Sequence, residues 1–170
     1  MKTSNRLLFM LSMVLMISIT SCGDQKGKGS DDGNAGTHAS GNGVIALNGE
    51  EFKKRVWDFE AHPGEWKYKG DLPAVIDFYA DWCAPCKIAA PIMEELAAKY
   101  KGKVVFYKVD TDKERELAGI FGIRTIPSFL FIPAIGEPEL TSGIAPGEEA
   151  TRKMFTDMVE QKCLGNFSTE

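Results

Sequence analysis

Two cysteines separated by two residues lie in the stretch Trp82-Cys83-Ala84-Pro85-Cys86-Lys87, a spacing that can close a small and easily reopened disulfide. The chemistry within reach is thiol-disulfide exchange, whose attacking species is the thiolate. The preceding residues, Ala74 to Tyr79, are branched, aromatic and apolar enough to predict a buried strand. Those that follow, Ile88 to Tyr100, have helical composition and spacing. Cys83 is therefore expected near a helix N-terminus, where unpaired amide N–H groups and the positive end of the helix dipole favour thiolate. Pro85 falls in the first turn, where its missing N–H costs nothing.

Two other uses of this spacing compete. Zinc sites need a second pair of ligands, and the remaining candidates, Cys22, Cys163, His38 and His62, are scattered singly, so no metal is expected. A structural disulfide closing so short a loop removes little chain entropy and makes a poor staple. Asp77, a charge in the middle of an apolar strand, is costly unless it has a partner or a task.

The pair must be held by a larger frame. Val44 to Leu47 reads as a short strand, and Asn48 with Glu51 reads as a cap opening a helix that carries Phe52, Val56 and Phe59 and stops at His62-Pro63-Gly64. Val104 to Val109 is the next strand, Asp112 to Phe121 a helix ending at Gly122, and Ser128 to Ile132 a strand entered through Pro127. A strand at Glu139 to Gly143 precedes a last helix with Pro146 in its first turn and Phe155, Met158, Val159 and Lys162 along it. This order fits an α/β fold with a mixed sheet between helices, in which Phe78, Phe106, Phe129 and Phe131 are core.

The run Asp77-Phe78-Tyr79-Ala80-Asp81-Trp82-Cys83-Ala84-Pro85-Cys86-Lys87 resembles the active-site signature of the thioredoxin family, with alanine where the family typically has glycine after the first cysteine. Ile126-Pro127 falls at the family's cis-proline, Pro91 at its helix-kinking proline, Lys108 at the lysine beside the buried aspartate, and Gly143 at the glycine of the substrate groove. The similarity covers about residues 44 to 163 and is weakest over Trp57 to Leu72, which looks longer than in a minimal member.

The resemblance implies a thioredoxin fold, a central mixed β-sheet flanked by helices, in which Cys83 is the attacking and more exposed thiolate and Cys86 the resolving thiol. Asp77 would relay a proton to or from Cys86, with Lys108 modulating its charge. Trp82, Ala84, Pro85, Ile126, Pro127, Ser128 and Gly143 would line the substrate groove, where an extended peptide pairs as an added strand. Cys163 reads as a packed thiol. No cofactor is implied. The expected activity is protein-disulfide reduction; a disulfide-donating oxidase or isomerase and a cytochrome c maturation reductase are the rivals, with a redox-inert adhesin or chaperone as the reading from another class. The alanine-proline dipeptide argues against the oxidant, whose relatives tend to carry histidine there.

Residues 1–21 read as a signal peptide. Lys2 and Arg6 precede an apolar run from Leu7 to Ile19 that is too short to span a bilayer comfortably, and Ile19-Thr20-Ser21-Cys22 resembles a bacterial lipoprotein box, with Cys22 the lipidated N-terminus after cleavage. A plain secretory signal with an incidental cysteine is the alternative. The whole chain has 20 basic and 24 acidic residues, and loss of Lys2 and Arg6 takes its net charge from -4 to -6, so nucleic acid is not an expected partner. Residues 22–43 follow as the lipidated cysteine and a Gly/Ser/Asp-rich linker with almost no bulky apolar residue, and 44–170 as the folded domain. In that linker, Ser30-Asp31-Asp32 reads as solubilising charge, with an acidic tag for surface display as the sharper alternative. The location expected is periplasmic, anchored at the membrane in an undetermined leaflet. The partners expected are disulfide-containing exported proteins and a membrane thiol-electron donor, with the chain acting as a monomer.

Overall fold

A computed structural model describes residues 43–166. The residues read above as a signal peptide, Cys22 and nearly all of the expected linker lie outside the described residues. Among the described residues five strands form one sheet in the order β1-β3-β2-β4-β5. They are β1 (Ile45–Ala46), β2 (Ala74–Tyr79), β3 (Val105–Asp110), β4 (Ser128–Ile132) and β5 (Glu139–Ser142). The first three are parallel, and β4 and β5 run antiparallel to their neighbours. Four helices cover the sheet: α1 (Gly49–Arg55), α2 (Ala84–Lys99), α3 (Arg115–Ile120) and α4 (Glu148–Met158), the last continued by a π-helical turn over Val159–Cys163.

Alternation along the strands builds two cores. Val75, Phe106, Phe129 and Phe131 point to one face, where α2 and α4 supply Ile92, Met93, Leu96 and Phe155. Ala74, Ile76, Phe78, Val109, Leu130 and Ile132 point to the other, against Phe52 of α1, Val56 that follows it and Leu117 of α3. With both faces covered, β2 and β4 are apolar almost throughout, and Asp77 is the exception in β2.

Three helix boundaries differ from the sequence reading, each for a local reason. The first helix stops at Arg55, seven residues before His62, because Lys69 N–H donates to the Val56 carbonyl and Asp58 accepts from Ala61 N–H, starting a separate turn. Phe59 is thus outside the helix; with Trp57, Trp66, Tyr68 and Phe121 it makes the aromatic cluster that the long Trp57 to Leu72 segment contributes. The third helix begins at Arg115 and not at Asp112, because Asp110 accepts from Asp112 N–H through its side chain and from Lys113 and Glu114 N–H through its carbonyl. Pro146 stands two residues before the last helix, which starts after Gly147 at φ 91°.

The ring pair Phe129–Phe155, with centroids 4.5 Å apart and both side chains fully buried, fixes α4 to the sheet. Phe155→Ala is expected to cost ~3–5 kcal/mol, with an unchanged slope in chemical denaturation; a cost below about 1 kcal/mol would mean that α4 does not depend on this contact.

Candidate active site

Strand β2 ends at Tyr79 and the chain enters α2 five residues later, so the handover point lies at one end of the sheet centre. Cys83 is the N-cap of α2, and its Sγ accepts a hydrogen bond from the Cys86 N–H at 3.2 Å. Pro85 occupies the first turn, and no acidic residue stands there to oppose negative charge on the sulfur. Cys83 and Cys86 form a disulfide, with S–S 2.03 Å and Cα atoms 5.3 Å apart.

The expectation that Cys83 is the more exposed of the two does not hold in this disulfide form: each cysteine is 3 % exposed. Bonded to Cys86 and receiving its N–H, the Cys83 sulfur is drawn back onto the helix end. The exposed group is Trp82, 69 % accessible, with Ala84 also at the surface and Pro85 half-buried. Trp82 is not held by its neighbours in sequence. Its indole N–H donates to the Asp112 carboxylate at 2.8 Å, across 30 residues, which makes Asp112 a site residue that the sequence reading missed. Nothing in sequence spacing signals that contact.

Asp77 lies on the central strand directly opposite Lys108 of β3. Burial pushes its carboxyl from 3.8 up to about 7, and Lys108 only partly counters this. Its Oδ1 has no hydrogen-bond partner among the described residues. The carboxyl and Cys86 line one cavity of ≈ 160 Å³ together with Tyr79, Ala80, Asp81, Lys87, Ala90 and Lys108. Tyr79 was also missed, though its place two residues beyond Asp77 puts both side chains on the α2 face of the strand.

Ile126-Pro127 is a cis peptide, just before β4, with Ile126 half-buried and Pro127 buried. The Pro127 carbonyl accepts from Gly143 N–H at 2.8 Å, and Gly143 holds φ 85°, a backbone conformation that favours glycine. Ser128 is a correction: it is 1 % exposed and does not line a groove. Its register opposite Ser142 turns it inward, where its hydroxyl donates to the Thr125 carbonyl and meets the Ser142 hydroxyl, both at 2.7 Å. It therefore braces the loop that carries Ile126 and Pro127.

Cys163 is remote from this site, buried in the π-helical turn with its thiol directed at the Ala74 carbonyl, and burial pushes it up to about 12. Among the described residues no group of three or more His, Cys, Asp or Glu side chains could hold a metal.

Comparison with known proteins agrees with this geometry. The family model described as Thioredoxin matches residues 43–156. A thioredoxin of Borreliella burgdorferi is 43% identical over 114 residues, covering 67% of this chain and 96% of that protein. A chloroplastic M-type thioredoxin of Spinacia oleracea is 33% identical over 120 residues, covering 69% of this chain and 62% of that one. Among solved structures, chloroplastic thioredoxin z matches with TM-score 0.52 at 23% identity, over 67% of this chain and 92% of that chain, a likeness of fold. The mixed sheet, the helix-capping Cys83–Cys86 disulfide and these matches together place the chain in the thioredoxin family of disulfide oxidoreductases.

Proposed function

We propose that this chain is a protein-disulfide reductase of the cell envelope, held at the membrane by lipid on Cys22. The observation that carries the reductase reading is the Cys86 N–H aimed at the Cys83 sulfur at the open end of α2, a donor already in place for a thiolate. In the reduced protein the Cys83 thiolate attacks a substrate sulfur; the substrate S–S bond breaks, one substrate sulfur leaves as thiolate, and a mixed disulfide forms. Cys86 then loses its proton and attacks the Cys83 sulfur, expelling the second substrate thiol and closing the Cys83–Cys86 disulfide. Two electrons have passed to the substrate. A dithiol donor in the membrane returns them.

Asp77 is the acceptor for the Cys86 proton, since both line one cavity and a carboxyl titrating near 7 can take and release a proton at neutral pH. Trp82, positioned by Asp112, and the Thr125-Ile126-Pro127 segment, braced by Ser128 and Gly143, flank the pair and receive an extended peptide of the substrate. Ala84 and Pro85 between the cysteines supply no charge to stabilise the thiolate further, which favours the reductant over the disulfide donor. The apolar run from Leu7 to Ile19 and the Ser21-Cys22 that follows it support the envelope location, and the exported proteins reachable there are the substrates.

Equilibration of the pair with glutathione is expected to give a potential near the thioredoxin end of the scale, about -270 mV. A value above roughly -180 mV would assign the chain to the disulfide donors and isomerases.

Asp77 sets a second expectation. The unfolded chain gives up this proton near 3.8 and the folded one near 7, so stability falls as pH rises through that window, by ~4 kcal/mol in all, from ~1.4 kcal/mol per pKa unit. Asp77→Asn is therefore expected to be more stable than the wild type in denaturant at pH 8, with the advantage gone near pH 4, while insulin reduction slows by roughly ten-fold. Equal stability at pH 8 would show that the carboxyl is not held neutral by burial.

A further inference from the structure

The cavity shared by Asp77 and Cys86 has one wall that the exchange steps leave without a task. It measures ≈ 160 Å³, room for several waters. Asp77 is 4 % exposed and its Oδ1 has no partner among the described residues, so a proton taken from Cys86 leaves the carboxyl through this cavity. The carboxyl must be emptied before it serves a second turn. Among the described side chains that line the cavity, Ala80 and Ala90 carry no polar atom, the Asp81 carboxylate only accepts, and the Lys87 and Lys108 ammonium groups only donate. Tyr79 alone brings a hydroxyl, which does both.

Tyr79 is the last residue of β2, on the same strand face as Asp77. Its carbonyl accepts from the Thr111 N–H at 2.9 Å and from the Thr111 hydroxyl at 3.1 Å, which fixes the base of the half-buried ring. Among the described residues the Tyr79 hydroxyl has no hydrogen-bond partner, and the unpartnered side-chain atoms shut off from solvent are Asp77 Oδ1 and Trp66 Nε1; Tyr79 Oη thus keeps contact with water. Charged groups on both sides act on it: Asp110, Asp81 and Lys113 at the end of the sheet, and the buried Asp77. Asp110, its register partner on β3, is already engaged by Lys113 at 2.7 Å and by the Asp112 N–H at 3.1 Å. Burial and then the acids hold the phenol above its ordinary 10, so it stays neutral through the pH range in which Asp77 titrates.

We propose that Tyr79 passes the Asp77 proton between the cavity and solvent. The proposal rests on the reading of Asp77 as the acceptor of the Cys86 proton. Once Cys86 has closed the disulfide, the carboxyl gives its proton to a cavity water, and that water protonates Tyr79 Oη as the phenol releases its own proton to solvent. A carboxylate is left behind, the phenol is neutral again, and no electrons move. The reverse sequence returns a proton when the cysteine pair is reduced. Tyr79 acts on the reaction through Asp77 and is a positioning residue for that proton.

The test follows the resolving step: the reduced full chain is mixed with insulin, quenched in acid, and the mixed disulfide is counted by mass against the closed Cys83–Cys86 disulfide. Wild type, Tyr79→Phe, Asp77→Asn and the double variant are compared. At about pH 6 most Asp77 is neutral and must lose its proton before it takes another, so Tyr79→Phe is expected to slow resolution roughly five-fold, less than the ~10²–10⁴ of a group in direct proton transfer. At about pH 8.5 most of the carboxyl is ionised beforehand, and the difference should shrink to within about 1.5-fold. Imidazole at about 0.1 M should restore the slowed Tyr79→Phe rate and leave the wild type unchanged. In the Asp77→Asn background, Tyr79→Phe should cost nothing more. An equal loss at both pH values, no rescue by imidazole, or an additive loss in the double variant would assign the phenol to packing and overturn the relay. A slowed Asp77→Asn beside an unimpaired Tyr79→Phe overturns the relay and keeps the Asp77 reading; an unimpaired Asp77→Asn removes both.

Discussion

The hydrogen bond from the Cys86 N–H to the Cys83 sulfur is the contact around which the rest of the domain is arranged. A helix normally satisfies its first amides with an oxygen from Ser, Thr, Asp or Asn. Here the capping atom is the sulfur proposed to attack, so on that reading capping energy and thiolate stabilisation are the same interaction. For this to work the helix start must be fixed in space, and β2, paired on both sides along its length, provides the fixed point. Pro85, which needs no N–H, and the absence of acid in the first turn leave the dipole's positive end directed at the sulfur.

A second constraint works against stability. A carboxyl in the central strand, unpartnered at Oδ1 and opposite a lysine that only partly offsets its burial, weakens the fold at neutral pH. On the proposed reductase reading, the domain carries this cost because a carboxyl titrating near 7 in the cavity it shares with Cys86 can receive a proton during exchange and return it afterwards. The covered sheet faces and the ring pair on α4 supply the apolar burial that makes the cost bearable.

Much of this was legible in the sequence. The alternating strands and helices, the helix start at Cys83 and the strand position of Asp77 follow from apolar runs and a few turn residues, and these are dominated by local chemistry. What was not legible came from two sources. Asp58 and Asp110 end or delay helices by capturing backbone N–H groups with their own carboxylates, a competition that helical periodicity does not reveal. Ser128 turns inward and Trp82 is held by Asp112 because strand register and a tertiary contact decide side-chain partners that are 14 and 30 residues away. The equal burial of the cysteines has a simpler origin, since the sequence does not say that the disulfide draws both sulfurs onto the helix end.

The most direct test of the account is the rate of alkylation of each cysteine in the reduced protein as a function of pH, resolved by peptide mass. Cys83 is expected to react first, with a midpoint below the ordinary thiol value of about 8.5, while Cys86 stays unreactive until higher pH. Preferential labelling of Cys86, or a Cys83 midpoint at the ordinary value, would contradict the claim that the helix end holds the Cys83 sulfur as a thiolate.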